Sequence, residues 1–164
     1  MGDSYLEIPL TITPSRMLNG LILHGDTLIP TVVPLVIQSV TPITCVCPVS
    51  PKKQVNFGIG TPFKWVKLRK NAINEENFTY SITIFEGDAV VMNNLESITY
   101  EIQFTGTPNC HDEGSIYKSM YKCHTTFITK DGQSVQEILV QSNNAYQSEI
   151  VKAIEAFLYA NPYY

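Results

Sequence analysis

The sequence combines one helical pattern with several strand patterns, and few folds satisfy both. Between residues 145 and 160, apolar residues recur at the spacing of one helical face: Tyr146, Ile150, Ala153, Ile154 and Phe157. Upstream, FTYSITI and SITYEIQF alternate apolar and polar residues, as half-buried antiparallel strands do. Such a sheet buries its apolar face by curving around a single long helix, an arrangement that often leaves a hollow.

Glycine and proline divide the rest of the chain into shorter elements. Residues 5–12 alternate as a first strand, and two short helices follow it. Pro14 opens the first helix, and Pro30 and Pro34 keep the second to a turn or two. Turn residues then separate further strands between 36 and 129, so that seven strands are predicted in all.

The C-terminal part is predicted to contain a hairpin and then the long helix. Asp131-Gly132 is typical of a tight turn, here between YKCHTTFITK and QSVQEILV. The helix is expected to follow Ser142 or Asn143, either of which is a good cap, and to stop at Asn161-Pro162. The predicted class is therefore α+β: a seven-stranded curved antiparallel sheet that grips a long C-terminal helix, with two short helices between the first two strands.

The composition indicates one domain over residues 1–164. The chain is 44% hydrophobic and 16% charged, which supports a core without metal or disulfide. Its net charge of −4 gives no long-range attraction to nucleic acid or anionic lipid. No apolar run reaches the roughly twenty residues of a membrane span, and MGDSYLEIPL lacks the order of a secretory signal. We expect a cytoplasmic monomer or weak homodimer that binds neither membrane nor nucleic acid.

The four cysteines do not form a recognisable metal or redox motif. Cys45 and Cys47 are separated by one residue, which matches neither a redox CxxC nor a zinc knuckle. Cys110-His111-Asp112-Glu113 has metal-binding side chains but no second ligand pair at a suitable spacing. We therefore predict free thiols, no metal site and no cofactor.

The order of elements resembles that of the class-10 pathogenesis-related proteins of plants. These belong to the birch-pollen-allergen superfamily, which has the helix-grip fold. The matching stretches cover nearly the whole chain: HGDTLIPTVVPLVIQSV, NFGIGTPFKWVKLR, NFTYSITIFEGD, LESITYEIQF, the Asp-Gly turn and IVKAIEAFLYANP. The resemblance implies an internal hydrophobic cavity for a small aromatic or hydrophobic metabolite, of flavonoid, phytohormone or sterol type. It also implies a role in plant defence, and allergenicity.

Two segments depart from the family pattern. Residues 44–51 read TCVCPVSP where the family has a glycine-rich loop, usually EGDGGPGT. Glycines at positive φ can arrange backbone amides around an anion, whereas proline lacks the amide hydrogen and valine resists those angles. We therefore predict a stiffer, more apolar lip that binds no phosphate or nucleotide. Residues 109–114, NCHDEG, form a longer and more polar hairpin than is usual.

Strand alternation, the helical pattern and the resemblance together select the residues that are expected to line the cavity. In the strands, alternation identifies the residues whose side chains face inward. The resemblance adds three aromatic positions, and the helical pattern adds two. The candidate ligand-binding residues are Phe57, Phe63, Trp65, Tyr80, Ile82, Ile98, Tyr100, Ile102, Tyr117, Tyr121, Tyr146 and Ile150. Periodicity alone is also consistent with a filled aromatic core.

The alternative is an enzyme of plant specialised metabolism on the same scaffold, of isomerase, condensing or lyase type. Such an enzyme needs a positioned acid or base, and the inward mid-strand positions have none. Glu86 and Glu96 share the inward parity but lie at strand ends. A ribonuclease is a weaker option: Lys53, Glu96 and Glu155 match residues that the resemblance implies, but Phe157 stands in the place of a Tyr. No catalytic residue is assigned, and binding is favoured over catalysis.

Overall fold

The computed structural model describes residues 2–43, 51–106 and 116–164, and the predicted order of elements is confirmed there. The strands are β1 (Gly2–Leu10), β2 (Ile37–Ile43), β3 (Lys52–Phe57), β4 (Trp65–Asn74), β5 (Thr79–Gly87), β6 (Leu95–Gly106) and β7 (Ser119–Thr129). The helices are α1 (Pro14–Leu18), which continues into a π-helical segment (Asn19–Leu23), α2 (Gly25–Val32) and α3 (Glu137–Ala160). The altered loop at 44–50 and the polar hairpin at 107–115 lie outside the described residues, as do Cys45, Cys47 and Cys110.

The strands form one antiparallel sheet in the order β1-β7-β6-β5-β4-β3-β2. β1 and β2 lie at opposite edges, and α1 and α2 carry the chain from one edge to the other. Facing residues in neighbouring strands point to the same side of a sheet, so pairing aligns the inward residues in rows. Ile82 is opposite Tyr100, and Tyr100 is opposite Thr125. The strand pairing therefore places the inward residues predicted by alternation next to one another across the sheet.

Two apolar clusters hold the sheet to the helices. The first joins β1, α1 and the end of α3, and includes Leu10, Met17, Phe104, Ile154 and Leu158. The second lies on the central strands and includes Val66, Leu68, Ile84, Leu95 and Phe127. At roughly 25 cal/mol per Å² of buried apolar surface, these clusters are the main source of the stability of the fold.

The long helix is buried unevenly along its length. Val151, Ile154 and Leu158 in its C-terminal half are buried, whereas no residue from 137 to 150 in this fully described helix is. Of the predicted apolar face, Ile154 is buried and the others are half-buried: Tyr146, Ile150, Ala153 and Phe157. The neighbouring stripe of Val151, Ile154 and Leu158 has the same helical spacing, so the pattern alone does not distinguish the two.

The predicted hairpin after β7 and the predicted start of α3 are wrong. Gly132 has φ +73°, as a turn requires, and Asp131 accepts a hydrogen bond from the Gln133 backbone nitrogen at 3.0 Å. However, β7 already has β1 and β6 as neighbours, so no edge is free for a further strand beside it. The segment QSVQEILV therefore continues into α3, which begins at Glu137.

Glu155 ties α3 to the segment that follows β1. The residue is 8% exposed, and its carboxylate accepts hydrogen bonds from the Thr11 backbone nitrogen at 2.7 Å and the Thr11 hydroxyl at 3.2 Å. Lys152 pairs with it at 2.7 Å. Burial by itself would raise the pKa of Glu155, but the bonds from Lys152 and Thr11 outweigh burial and lower this pKa. The residue is therefore occupied in holding the fold.

Replacing Glu155 with Gln is expected to lower the free energy of unfolding by about 1–3 kcal/mol, because one buried charged acceptor is lost. A carboxylate with a lowered pKa stabilises the fold above its unfolded pKa and ceases to do so as the pH falls through the folded value. The difference between the two proteins in urea unfolding should therefore shrink in acid. Glu149→Gln, at an exposed position of the same helix, is the control. Equal losses in both variants would contradict this role.

Candidate functional site

A space that side chains do not fill lies under the N-terminal half of α3. The cavity has a volume of about 240 Å³ and is bounded by the inner face of the sheet, by residues 21–29 and by α3. Most of its wall is apolar, because alternate strand residues such as Val55, Val66 and Ile84 point into it. The inward residues of α3 between Leu139 and Ile150 border this space and are only half-buried.

All but two of the residues predicted from the sequence line the cavity. The strands contribute seven of the inward side chains, the connection before β4 contributes Phe63, and α3 contributes two. These residues are Phe57, Phe63, Tyr80, Ile82, Ile98, Tyr100, Ile102, Tyr121, Tyr146 and Ile150. Phe63 packs edge-on against both Phe57 and Tyr146, at centroid distances of 5.5 and 5.8 Å, and so joins the sheet to the helix.

Trp65 and Tyr117 do not line the cavity, so these two placements are corrected. β4 begins at Trp65 and Val66 points inward, which leaves Trp65 on the other face with Lys67, whose Nζ lies 5.4 Å from its ring. Phe63 precedes the strand, so strict alternation does not connect it to Trp65. Tyr117 likewise precedes β7 and is 43% exposed.

Four polar residues of the cavity were not among the predicted residues. Asp26 and Lys53 form an ion pair at 2.6 Å between α2 and β3. Asn143 and Gln147 lie one helical turn apart on α3 and also face the cavity. Their spacing to Ile150 indicates that they share its helical face. However, the sequence predicts that the helix begins only after Ser142 or Asn143, so this spacing is not used.

Two of the cavity tyrosines, Tyr100 and Tyr121, are hydrogen bonded to α3. The Tyr100 hydroxyl donates to Asn143 Oδ1 at 2.6 Å, and Gln147 Nε2 donates to the Tyr121 hydroxyl. Burial, together with the nearby Cys123, raises the pKa of both tyrosines well above 10. Burial also raises the pKa of the Cys123 thiol. These groups therefore remain neutral at physiological pH.

The charged groups at the cavity are paired with each other. The side chain of Lys53 is 24% exposed and that of Asp26 is 55% exposed, so the pair lies towards solvent. Burial, and next the charge of Asp26, raise the pKa of Tyr80 to about 12. Glu96 and Glu155 do not line the cavity with Lys53, so the residues of the ribonuclease hypothesis are not assembled there.

The described residues contain neither a metal-binding cluster nor a membrane-spanning helix. Within 2–43, 51–106 and 116–164, no group of three or more His, Cys, Asp or Glu side chains is placed to hold a metal ion. None of the helices in the same ranges is long and apolar enough to cross a bilayer.

Relatives and solved structures resemble the chain over almost its whole length. No family model matches the chain. It is 33% identical over 156 residues to the major allergen Pru ar 1 of Prunus armeniaca, covering 95% of this chain and 92% of the relative. It is 35% identical over 155 residues to the major pollen allergen Bet v 1-C of Betula pendula, covering 94% and 92%.

The solved structures have the same fold. Ara h 8.0201 superposes with a TM-score of 0.79 at 23% identity, covering 98% of this chain and 99% of that one. Norcoclaurine synthase from Thalictrum flavum superposes with a TM-score of 0.72 at 12% identity, covering 96% and 86%. The sequence identity to the allergens, the helix-grip architecture and the near-complete coverage agree: the chain belongs to the Bet v 1 family of pathogenesis-related proteins and allergens.

Proposed function

We propose that the protein binds a small hydrophobic or aromatic metabolite in the cavity under α3. The observation that carries the proposal is a largely apolar space of about 240 Å³ between the sheet and α3, bordered by half-buried residues of α3 from Leu139 to Ile150. Closely packed interiors leave few voids larger than a water molecule, so an unfilled apolar space of this size is costly unless a ligand occupies it.

The size and lining of the cavity narrow the class of ligand. Ligand pockets commonly measure about 300–1,000 Å³, so this cavity of about 240 Å³ lies just below that range. Phe57, Phe63 and Tyr146 offer ring faces and edges to a flat molecule. A flavonoid or a small aromatic hormone fits this space better than a sterol, which would require the walls to move apart.

The biological setting is also a proposal. The two relatives of similar sequence come from plants, and both of their names identify them as allergens. By this kinship, the protein acts in the cytoplasm of a plant cell as a monomer or weak homodimer. There it stores or delivers a metabolite during defence.

Titration calorimetry of the purified chain with the flavonoid naringenin and the cytokinin zeatin tests the binding function. We expect one ligand per chain and a micromolar dissociation constant for at least one of them, with a negative heat-capacity change because apolar surface is buried. The absence of binding for both ligands, and for smaller aromatic alcohols, would contradict the proposal.

An enzyme remains the second candidate, because Lys53 and Asp26 place an amine and a carboxylate at the cavity, 2.6 Å apart. Norcoclaurine synthase shares the fold. Incubation of the protein with a plant metabolite extract, followed by mass comparison with a heat-treated control, tests for turnover. Consumption of a metabolite that stops in Lys53→Met but continues in Lys52→Met would favour the enzyme. Unchanged masses would favour binding alone.

A further inference from the structure

One wall of the cavity is polar but carries no charge. We call it the neutral wall; it consists of Tyr100 and Tyr121 on β6 and β7, and Asn143 and Gln147 on α3. Two hydrogen bonds join its strand residues to its helix residues, from Tyr100 to Asn143 and from Gln147 to Tyr121. Elsewhere the described lining is mostly apolar, so this wall is where a ligand can be oriented by hydrogen bonds.

Gln147 has an acceptor that the protein leaves unused. Its Nε2 donates to Tyr121, but its Oε1 is buried and has no hydrogen-bond partner among the described residues. A buried acceptor without a donor is destabilising, and most such atoms in folded proteins are paired. Because Gln147 lines the cavity, a donor on a bound molecule can reach this oxygen.

The charges around the cavity disfavour an ionised ligand. Lys53 is already neutralised by Asp26 at 2.6 Å, so neither charge is left to compensate a ligand carboxylate or ammonium group. The neutral wall offers hydroxyl and amide groups alone. Transfer of an unpaired charge from water into such a site is strongly unfavourable.

We propose that Gln147 determines the ligand specificity of the cavity, and that it selects a neutral, flat aromatic molecule whose hydroxyl or N–H donates to Gln147 Oε1. This inference rests on the proposed function, since it requires a ligand in the cavity. It adds the chemical group by which that ligand is recognised and the residue that recognises it.

Three probes that differ in a single substituent test the hydrogen bond in the unmodified protein. They are 2-naphthol, which donates a hydrogen bond; 2-methoxynaphthalene, which only accepts one; and 2-naphthoate, which is an anion. By calorimetry, 2-naphthol is expected to bind roughly five- to tenfold more tightly than 2-methoxynaphthalene. It is expected to bind at least tenfold more tightly than 2-naphthoate, because the anion is desolvated without a partner.

Two matched variants locate the acceptor. Gln147→Met keeps the length of the side chain but removes the amide, and the preference for 2-naphthol over 2-methoxynaphthalene should fall to less than about twofold. Gln141→Met makes the same change at an exposed position of α3 and should keep the full preference. Circular dichroism checks that both variants fold.

The outcomes separate this inference from the proposed function. If none of the probes binds to the unmodified protein, and naringenin and zeatin fail as well, both proposals are wrong. If 2-naphthol and 2-methoxynaphthalene bind equally well, the cavity is a binding site but the inference is overturned. A preference that persists in folded Gln147→Met would overturn it too. If that variant does not fold, the comparison of probes in the unmodified protein decides alone.

Discussion

Ile150→Trp is expected to weaken the binding of naringenin by about a hundredfold or more while the protein stays folded. Ile150 is half-buried on α3 and lines the cavity, so an indole at this position would occupy the space that the ligand needs. If the ligand loses about 100–150 Å² of apolar burial at roughly 25 cal/mol per Å², the cost is about 3 kcal/mol, or about a hundredfold in affinity. Calorimetry measures the change.

Glu149→Trp is the matched control for Ile150→Trp. Glu149 is the preceding residue of the same helix and is exposed, so the same aromatic side chain there points away from the cavity. It should leave the affinity within about twofold of the unmodified protein, as surface changes usually do. If Ile150→Trp folds and binds naringenin as tightly as Glu149→Trp does, the ligand lies elsewhere and the cavity is not the binding site.

Strand parity is the part of the site that the sequence predicted best. Tyr80, Ile82, Ile98 and Ile102 were assigned inward by alternation, and all of them line the cavity. A slip of one residue would turn every apolar side chain of a strand towards water, so a half-buried strand holds its register strongly. The rule fails where the strand ends. Trp65 is placed in the cavity by the family resemblance alone, and it lies at the first position of β4, where its side chain points to the other face.

The start of α3 depended on information that no local pattern contains. Residues 137–140 are EILV, which suits a strand as well as a helix, and the Asp-Gly turn before them favoured a hairpin. The outcome was decided by β1, which is distant in sequence and pairs with β7 along the side that a hairpin partner would need. Tertiary context of this kind regularly overrides local propensity.

The polar residues of the cavity were missed for a different physical reason. In the sequence of a helix, a polar residue that faces an internal cavity cannot be told from a polar residue that faces water. Asn143 and Gln147 could therefore be distinguished only by the orientation of α3 over the sheet. Asp26 and Lys53 belong to separate elements, and no sequence pattern brings them together.

Alkaline pH is expected to destabilise the protein by about 3–4 kcal/mol between roughly pH 9 and pH 11. Burial raises the pKa of Tyr80 to about 12 and raises those of Tyr100 and Tyr121 well above 10. In the unfolded chain these phenols lose their protons near pH 10, whereas in the folded protein they hold them. Below about pH 10 these three tyrosines therefore do not reduce the free energy of unfolding. They reduce it as the pH rises from there towards their folded pKa values.

The size of the loss follows from the number of tyrosines. At about pH 11, each phenol that is still protonated in the folded state costs roughly 1 kcal/mol relative to an unfolded chain in which it is ionised. Urea unfolding measured from neutral to alkaline pH gives this slope. Tyr121→Phe should reduce the slope by about a third, because one titrating phenol is removed. Tyr163→Phe, at a fully exposed position, should leave it unchanged. Identical slopes in the two variants would mean that Tyr121 ionises as freely in the folded protein as in the unfolded chain.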